Sequence, residues 1–561
     1  MSFRNPILSG FNPDPSIVFV DGVYYLATST FQYFPGVPIY RSTDLVDWKL
    51  IGHALNRPSQ LQMRTTEGGG GIFAPTLRHH KGRFYMTTCC AHRIRFGTTD
   101  PFVTPRGFYV WTDNIMDDAS WSEPIFFDML GIDQDLFFDD TTDKVYLSTT
   151  ARLYQPDLPR YGFDTAPWIS EVDLESGRLL TLPKLLRQSP IGVGIAEGSH
   201  IFRKDDYYYL ITAEGGTETI HQQWVFRSKS GPEGPWETGP EGTVNPMVFN
   251  GEDEFVQQTG HVDFVQGHGG AWWAVMLGFR NQRHPETGDK LWSVLGRETF
   301  LCPVEWEEGW PILNGRKKIG LTGEAPEGLG LSRLSSRISW REDAPRFLSA
   351  LTDTLPLGWY TVRTPIKPFH SLSASSGLTI YPSPYSITDD ESPSMLLRRQ
   401  DAFVGTWETV VDFTPGRPGE EAGTVVWWSK WAFSSVGVRG IEGGREVVFK
   451  FPTLEDDKIQ ETIFPSSHVG PVKLRIQATP TSYTLFFSEI TGDSSSNPTS
   501  WTTAGSISAA VMVRQRMIDS IMTGTHFGLY AFGAHHEPSL SKASFKYATW
   551  EADRDGVAQG A

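Results

Sequence analysis

The chain has 561 residues, too many for one hydrophobic core, so two or three domains are expected. Hydrophobic residues at 39% and charged residues at 20% exclude wholesale disorder, and three cysteines exclude a disulfide framework or a zinc site. The net charge of −16, without a basic stripe, excludes a nucleic-acid partner, and no apolar run approaches the ~20 residues of a membrane helix.

Cys89, Cys90 and Cys302 read as buried free thiols. Met1 leads into a strand-like segment without an apolar signal region, and Asn497-Pro498-Thr499 is blocked as a glycosylation site by its proline. As written the chain reads as intracellular, or as secreted if a signal has been removed. The many Trp and Tyr side chains and the acidic balance suit a neutral, carbohydrate-like ligand, because aromatic faces pack on sugar C–H faces.

Gly (55) and Pro (38) are frequent and helical periodicity is scarce, which predicts an all-β protein. In chain order, one unit recurs: an apolar strand, a tight polar turn and an aromatic-rich strand. It spans Ser16 to Ala27 around Asp21-Gly22, then Leu77 to Thr87 around Lys81-Gly82. The third copy is Leu136 to Ser148, the fourth His200 to Thr212 around Asp205-Asp206, the fifth Val262 to Met276. Further strands are expected to end near Trp48, Trp121, Trp236 and Trp306. A period of about 60 residues with four strands per unit predicts a five-bladed β-propeller over residues 1–325, since the repeats of a β-solenoid would be shorter. Gly323, Pro326, Gly328 and Gly330 mark a linker at 326–345. Strands such as Gly423–Trp428, Val472–Ala478 and Phe527–Ala531 lack the repeat and predict a β-sandwich, jelly-roll-like, at 346–552, with a tail at 553–561.

The innermost strand of each blade lines the propeller axis, so residues just before each unit should gather at one mouth of the channel. Asp14, Asp133, Glu197 and His261 stand there in four of the five repeats, and the second repeat offers Pro75-Thr76. An isolated Asp beside Pro is usually a turn former, but four ionisable groups at matched stations predict a functional cluster. Carboxylates in one aromatic-walled pocket push one another's pKa values apart, so an acid and a base coexist. Glycoside hydrolysis needs that pair.

Asn5-Pro-Ile-Leu8, Gly10-Phe-Asn-Pro-Asp-Pro-Ser16, Ala27-Thr-Ser-Thr-Phe31, Phe34-Pro-Gly36, Glu197-Gly198, Ala213-Glu-Gly-Gly-Thr217 and Leu295-Gly-Arg-Glu-Thr299 resemble glycoside hydrolase family 43. The likeness is to its β-xylosidases and α-L-arabinofuranosidases with a C-terminal β-sandwich. The resemblance implies that Asp14 is the general base that activates water, Glu197 the general acid, and Asp133 the carboxylate that orients the acid and tunes its pKa. It implies inversion in a single displacement, Arg297 beside the sugar hydroxyls, and Phe31 as a wall of the sugar subsite. His261 resembles the central histidine, which in some members sits by a structural Ca²⁺ and in others only forms hydrogen bonds. No cofactor is otherwise required.

Three stretches depart from the family's β-xylosidases. Phe73-Ala74-Pro75-Thr76 stands for Trp-Ala-Pro-Asp, and Asp133-Gln134-Asp135 for Asp-Pro/Ala-Ser. Thr523-Gly524-Thr525-His526-Phe527-Gly528 puts His526 where the family has a pocket-closing Phe. With Phe73, Thr76 and His526 expected at the rim, the reading tilts towards an exo-acting arabinofuranosidase on arabinoxylan side chains. A β-xylosidase on xylo-oligosaccharides is the alternative, and a non-catalytic carbohydrate-binding propeller is the rival from another class. Glu67-Gly68-Gly69-Gly70-Gly71 lacks the strand-to-helix context of a phosphate loop and is expected at the pocket rim. Trp427-Trp428-Ser429-Lys430-Trp431 reads as core aromatics, or else as a sugar platform.

Overall fold

The computed structural model describes residues 2–325 and 355–553, apart from 65, 93–103, 153–164, 193, 285–286, 374–376, 454–457, 491–499 and 514–521. The expected linker 326–345 and tail residues 554–561 lie outside the described residues. The chain is all-β: a five-bladed propeller followed by a β-sandwich.

Five four-stranded antiparallel sheets form the blades among the described residues, and their innermost strands are Ser16–Val20, Gly71–His80, Ile132–Asp139, Ala196–Lys204 and Gln257–Gln266. Each hairpin follows from its turn residues. Asp21-Gly22 and Lys81-Gly82 both take positive φ (50° and 80°; 49° and 82°) and join strands paired Val20 to Val23 and His80 to Arg83. That is the mirror-image two-residue turn whose twist matches the flanking strands. Trp48, Trp121 and Trp236 precede the outermost strand of their blades, whereas Trp306 lies within a third strand, Arg297–Glu307. The ring is closed by Ser2–Arg4 pairing with Thr322–Glu324, and by Asn5, whose side chain exchanges 3.0 Å hydrogen bonds with the Leu301 backbone. Cys89, Cys90 and Cys302 are buried and free.

The sandwich has an eight-stranded and a seven-stranded sheet, and Trp407, Val426, Trp428, Leu474, Leu485 and Phe527 fill its core. The eighth strand of the larger sheet comes from the propeller. Tyr33–Phe34 adds to the edge strand Trp359–Val362, with Phe34 opposite Thr361 and Tyr33 opposite Val362. Tyr33 donates its hydroxyl to the Trp428 carbonyl (3.0 Å) and packs with Phe11, Phe31, Tyr360, Leu397, Trp427 and Tyr530 in a core shared by both domains. Borrowing a strand covers a sheet edge that would otherwise present unpaired backbone groups.

This shared core generates a prediction. Tyr33 is fully buried (0%), so Tyr33→Ala should cost about 3–5 kcal/mol, as large-to-small core changes do. Because the residue belongs to both cores, urea unfolding followed by propeller and by sandwich fluorescence should shift together. Two transitions, only one of them displaced, would show that the domains unfold independently.

Candidate active site

The innermost strands would send alternate side chains to opposite faces if their pleat were unbroken. In four blades the pairing register shifts near the mouth, between Phe73 and Thr76, Ile132 and Asp135, Glu197 and His200, and Gly260 and Asp263. One residue at each break has a left-handed backbone: Ala74 (φ 32°), Asp133 (55°), Gly198 (56°) and His261 (55°). In the first blade Asp14 (54°) takes the same conformation just before its strand. These five residues are the structurally equivalent stations. The sequence alignment is thus corrected in two blades: the second has Ala74 rather than Pro75-Thr76, and the fourth has Gly198, with Glu197 one residue upstream. The reason at Gly198 is space, because a Cβ there would meet the His261 ring at 3.0 Å.

Asp14 is buried (4%) and accepts from Ser29 Oγ (2.6 Å) and from an Arg297 guanidinium nitrogen (3.0 Å). His261 Nδ1 stands 4.0 Å from the same carboxyl. Asp133, also buried, accepts from the Gly198 backbone N–H at 2.8 Å. That bond ties the third blade to the residue following Glu197. Burial raises the Asp133 carboxyl, His261 opposes the rise, and Asp14 adds to it.

Glu197 lies on Ala196–Lys204 opposite Ala213, is partly exposed, and accepts no hydrogen bond from a described residue. Its pKa is pushed up to about 8, first by desolvation, then by the negative charges of Asp133 and Asp14, against the pull of Arg297. A carboxyl in that range carries a proton at neutral pH. Glu214, on the neighbouring strand, shows the contrast. It is fully buried but accepts from Arg187 (3.0 Å), Ser189 (2.5 Å) and Thr212 (2.9 Å), so its carboxyl is engaged in the structure of the blade.

Arg297 joins the pocket to the sandwich by donating to the Met522 carbonyl (3.1 Å) while its guanidinium lies 5.3 Å from the Phe31 ring centroid. Phe31 is buried and packs on partly exposed Phe73, their centroids 4.7 Å apart, so the pair forms an aromatic wall whose Phe31 end faces Arg297. Thr76 and His526 do not stand at a rim. Thr76 is buried on the axial strand, and His526 is fully buried (0%), 4.2 Å from Tyr33 between ring centroids. Burial, and then Arg399, lower the His526 pKa well below its usual range, so the ring is a neutral packing element.

The Gly-rich loop rests against the wall: Gly69 N–H donates to Gln32 Oε1 (3.0 Å), and a Cβ on Gly71 would strike the Phe31 carbonyl at 2.1 Å. Trp427 and Trp428 are buried, and Trp427 and Trp431 both line a cavity of about 150 Å³ with Gln32, Glu67, Arg363 and Lys430. The pentapeptide is therefore partly core, with two of its tryptophans at a cavity.

Sequence reasoning missed Ser29, although it lies within the quoted Ala27–Phe31 stretch. It also missed a second ring two residues along from the stations. There Ser16, Asp135, His200 and Asp263 surround the Arg78 guanidinium. The signal was present as polar residues at a constant offset from each station.

The resemblance implies a Ca²⁺ by His261. Its neighbour Asp14 already accepts from Arg297, and among the described residues no three His, Cys, Asp or Glu side chains converge to hold a metal. The carboxylates of Asp135 and Asp263 converge instead on Arg78, whose guanidinium already supplies their countercharge, so the set as it stands does not fit a metal ion.

Residues 3–311 match the model of glycosyl hydrolases family 43, and residues 351–551 match the beta xylosidase C-terminal concanavalin A-like domain. A non-reducing end alpha-L-arabinofuranosidase of Bacteroides ovatus is 38% identical over 492 residues, 86% of this chain and 84% of that protein. A xylan 1,3-beta-xylosidase of a Vibrio species is 35% identical over 436 residues, 76% of this chain and 78% of its own length. The solved Bacteroides ovatus GH43B of a xyloglucan PUL superposes with TM-score 0.83 at 33% identity, over 98% of this chain and all (100%) of that one. Matched through most of its propeller and again through its sandwich, this chain belongs to glycosyl hydrolase family 43 and is a glycoside hydrolase of the exo-acting xylosidase and arabinofuranosidase kind.

Proposed function

We propose that the chain releases terminal L-arabinose from arabinoxylan or its oligosaccharides, with inversion, using Glu197 as acid and Asp14 as base. The observation that carries the catalytic assignment is the separation of environments. Glu197 has no hydrogen-bonding partner among the described residues and a pKa of about 8, whereas Asp14 is clamped by Arg297 and Ser29. In this reading Glu197 gives its proton to the glycosidic oxygen as the bond to the anomeric carbon breaks. A water oxygen bonds that carbon from the opposite face, and its proton passes to Asp14. Inversion requires the two carboxyl groups to stand about 6.5–9.5 Å apart, leaving room for the water. Asp133 holds the Gly198 backbone and raises its neighbour's pKa by charge. Arg297 and the Phe31–Phe73 wall position the sugar.

The arabinose preference draws support from the 38% identical Bacteroides ovatus arabinofuranosidase and from Phe73 on the wall. A β-xylosidase is the second reading, supported by the sandwich's match to a beta xylosidase domain. Chromatography of an arabinoxylan digest tests the choice. Free arabinose with an uncut backbone is expected. Xylose as the dominant product from linear xylo-oligosaccharides, with no arabinose from arabinoxylan, would overturn it.

Glu197→Gln and Asp14→Asn should each lower turnover by at least about a hundredfold with unfolding unchanged, since positioned acid–base groups contribute roughly 10²–10⁴. Substantial turnover in both variants would remove the two residues from the mechanism.

The pH dependence has a definite sign. The acid works protonated, so kcat/KM should fall as pH rises through about 8. Asp133→Asn removes a like charge, lowers the pKa of Glu197 and should move that limb to lower pH. An unmoved limb would show that Asp133 does not couple to Glu197.

A further inference from the structure

We infer that Arg78 is a built-in axial cation: its guanidinium occupies the station a divalent metal would need in the channel, and it keeps the strands bearing Asp133 and Glu197 in register. Arg78 comes from the second blade. Its Nε contacts Asp135 Oδ1 at 2.9 Å and one terminal nitrogen contacts Asp135 Oδ2 at 3.1 Å, a fork on the third blade. The other terminal nitrogen donates to Asp263 Oδ2 of the fifth blade at 2.9 Å and lies 3.5 Å from Ser16 Oγ of the first. His200 Nδ1, on the fourth, stands 3.1 Å from the guanidinium. One side chain thereby touches every other blade.

The anions continue the circuit. Asp263 also accepts from Ser16 Oγ (2.6 Å) and the Ile17 N–H (3.1 Å), Ser16 accepts from the Leu77 N–H (2.9 Å), and Asp135 accepts from the Ile201 N–H (3.3 Å). Asp135, Asp263 and His200 are buried at 1%, 3% and 4% exposure. Two carboxylates buried at this depth without a cation would repel each other and pay full desolvation. Carboxylates and imidazole are also the ligands that hold Ca²⁺ or Mn²⁺. The chain supplies the charge covalently, as a planar fork that matches carboxylate geometry. The positional consequence is local: Asp135 lies two residues from Asp133, His200 three from Glu197, and Asp263 two from His261. Arg78 is a positioning residue and touches no reacting atom.

The cation half of this inference is independent of the catalytic reading, and its positional half rests on it, so the two are measured separately. Full-length wild type and Arg78→Ser, both chelator-treated, are followed by calorimetry with CaCl₂ and with MnCl₂. Neither metal should move the wild-type Tm. Arg78→Ser should melt several degrees lower and recover saturably with one of the metals. Its kcat should fall by up to about a hundredfold, the scale of a 1 Å misplacement, with KM little changed, and rise again with the metal. A metal-raised wild-type Tm, an Arg78→Ser variant indistinguishable from wild type, or one that is impaired but unresponsive to both metals would each overturn the inference. Should Arg78→Ser not fold, Arg78→Lys decides. It keeps the charge and loses the fork, so it should melt lower but retain kcat within about tenfold; an unchanged Tm overturns the cation role, and a larger loss of kcat overturns the positional half. If the metal restores the Tm but not kcat, the channel cation stands and only the positional half fails.

Discussion

The left-handed residue near the start of each innermost strand is the constraint on which the pocket depends. Five strands converge on one axis, and an unbroken pleat would bury alternate side chains between blades. The positive φ at Asp14, Ala74, Asp133, Gly198 and His261 breaks that alternation at one level of the channel. Such backbone costs about 1–3 kcal/mol for a residue other than glycine and persists only where the surroundings hold it. Here they do, through the Gly198–Asp133 bond, the Ser29 and Arg297 clamp on Asp14, and the strand pairing on either side of each break.

Charge gathered at that level is divided by hydrogen bonding. Asp14 accepts from an arginine and a hydroxyl, Asp133 from a backbone N–H, and Glu197 from no described group. Three acids within one field therefore differ in what they can do, and Glu197 is the one left to hold a proton. Glu214 shows that blade membership and burial alone do not make an acid available, since its partners fully engage it.

The sandwich is part of this site. Arg297 spans from Asp14 to the Met522 carbonyl, and the Tyr33–Phe34 strand that follows Phe31 is hydrogen-bonded into the sandwich sheet. Arg399 of the sandwich reaches back to Asn12 (2.6 Å) and Tyr40 (3.2 Å), beside the Asn12–Asp14 segment. The segments carrying Asp14 and Phe31 are thus fixed from both domains.

The amino-acid order by itself determined the five-fold repeat, the propeller and the all-β second domain, because hairpin turns such as Asp21-Gly22 and strand alternation are local properties read within a dozen residues. It also brought Asp14, Asp133, Glu197 and His261 to one end of the channel. Only the tertiary structure decided the register at the bulges, where a Cβ at position 198 would crowd the His261 ring, so the station is Gly198 and the carboxylate of the fourth blade stands one residue upstream. Only it decided that His526 and Thr76 are buried, since their exposure depends on the docking of strands far apart in sequence. The Arg78 cluster joins residues from 16 to 263, and no local pattern could reveal that one guanidinium reaches four other blades. Hydrogen-bond partners and desolvation are properties of the assembled channel, and they show why Glu197 is left without partners among the described residues while Glu214 is fully engaged.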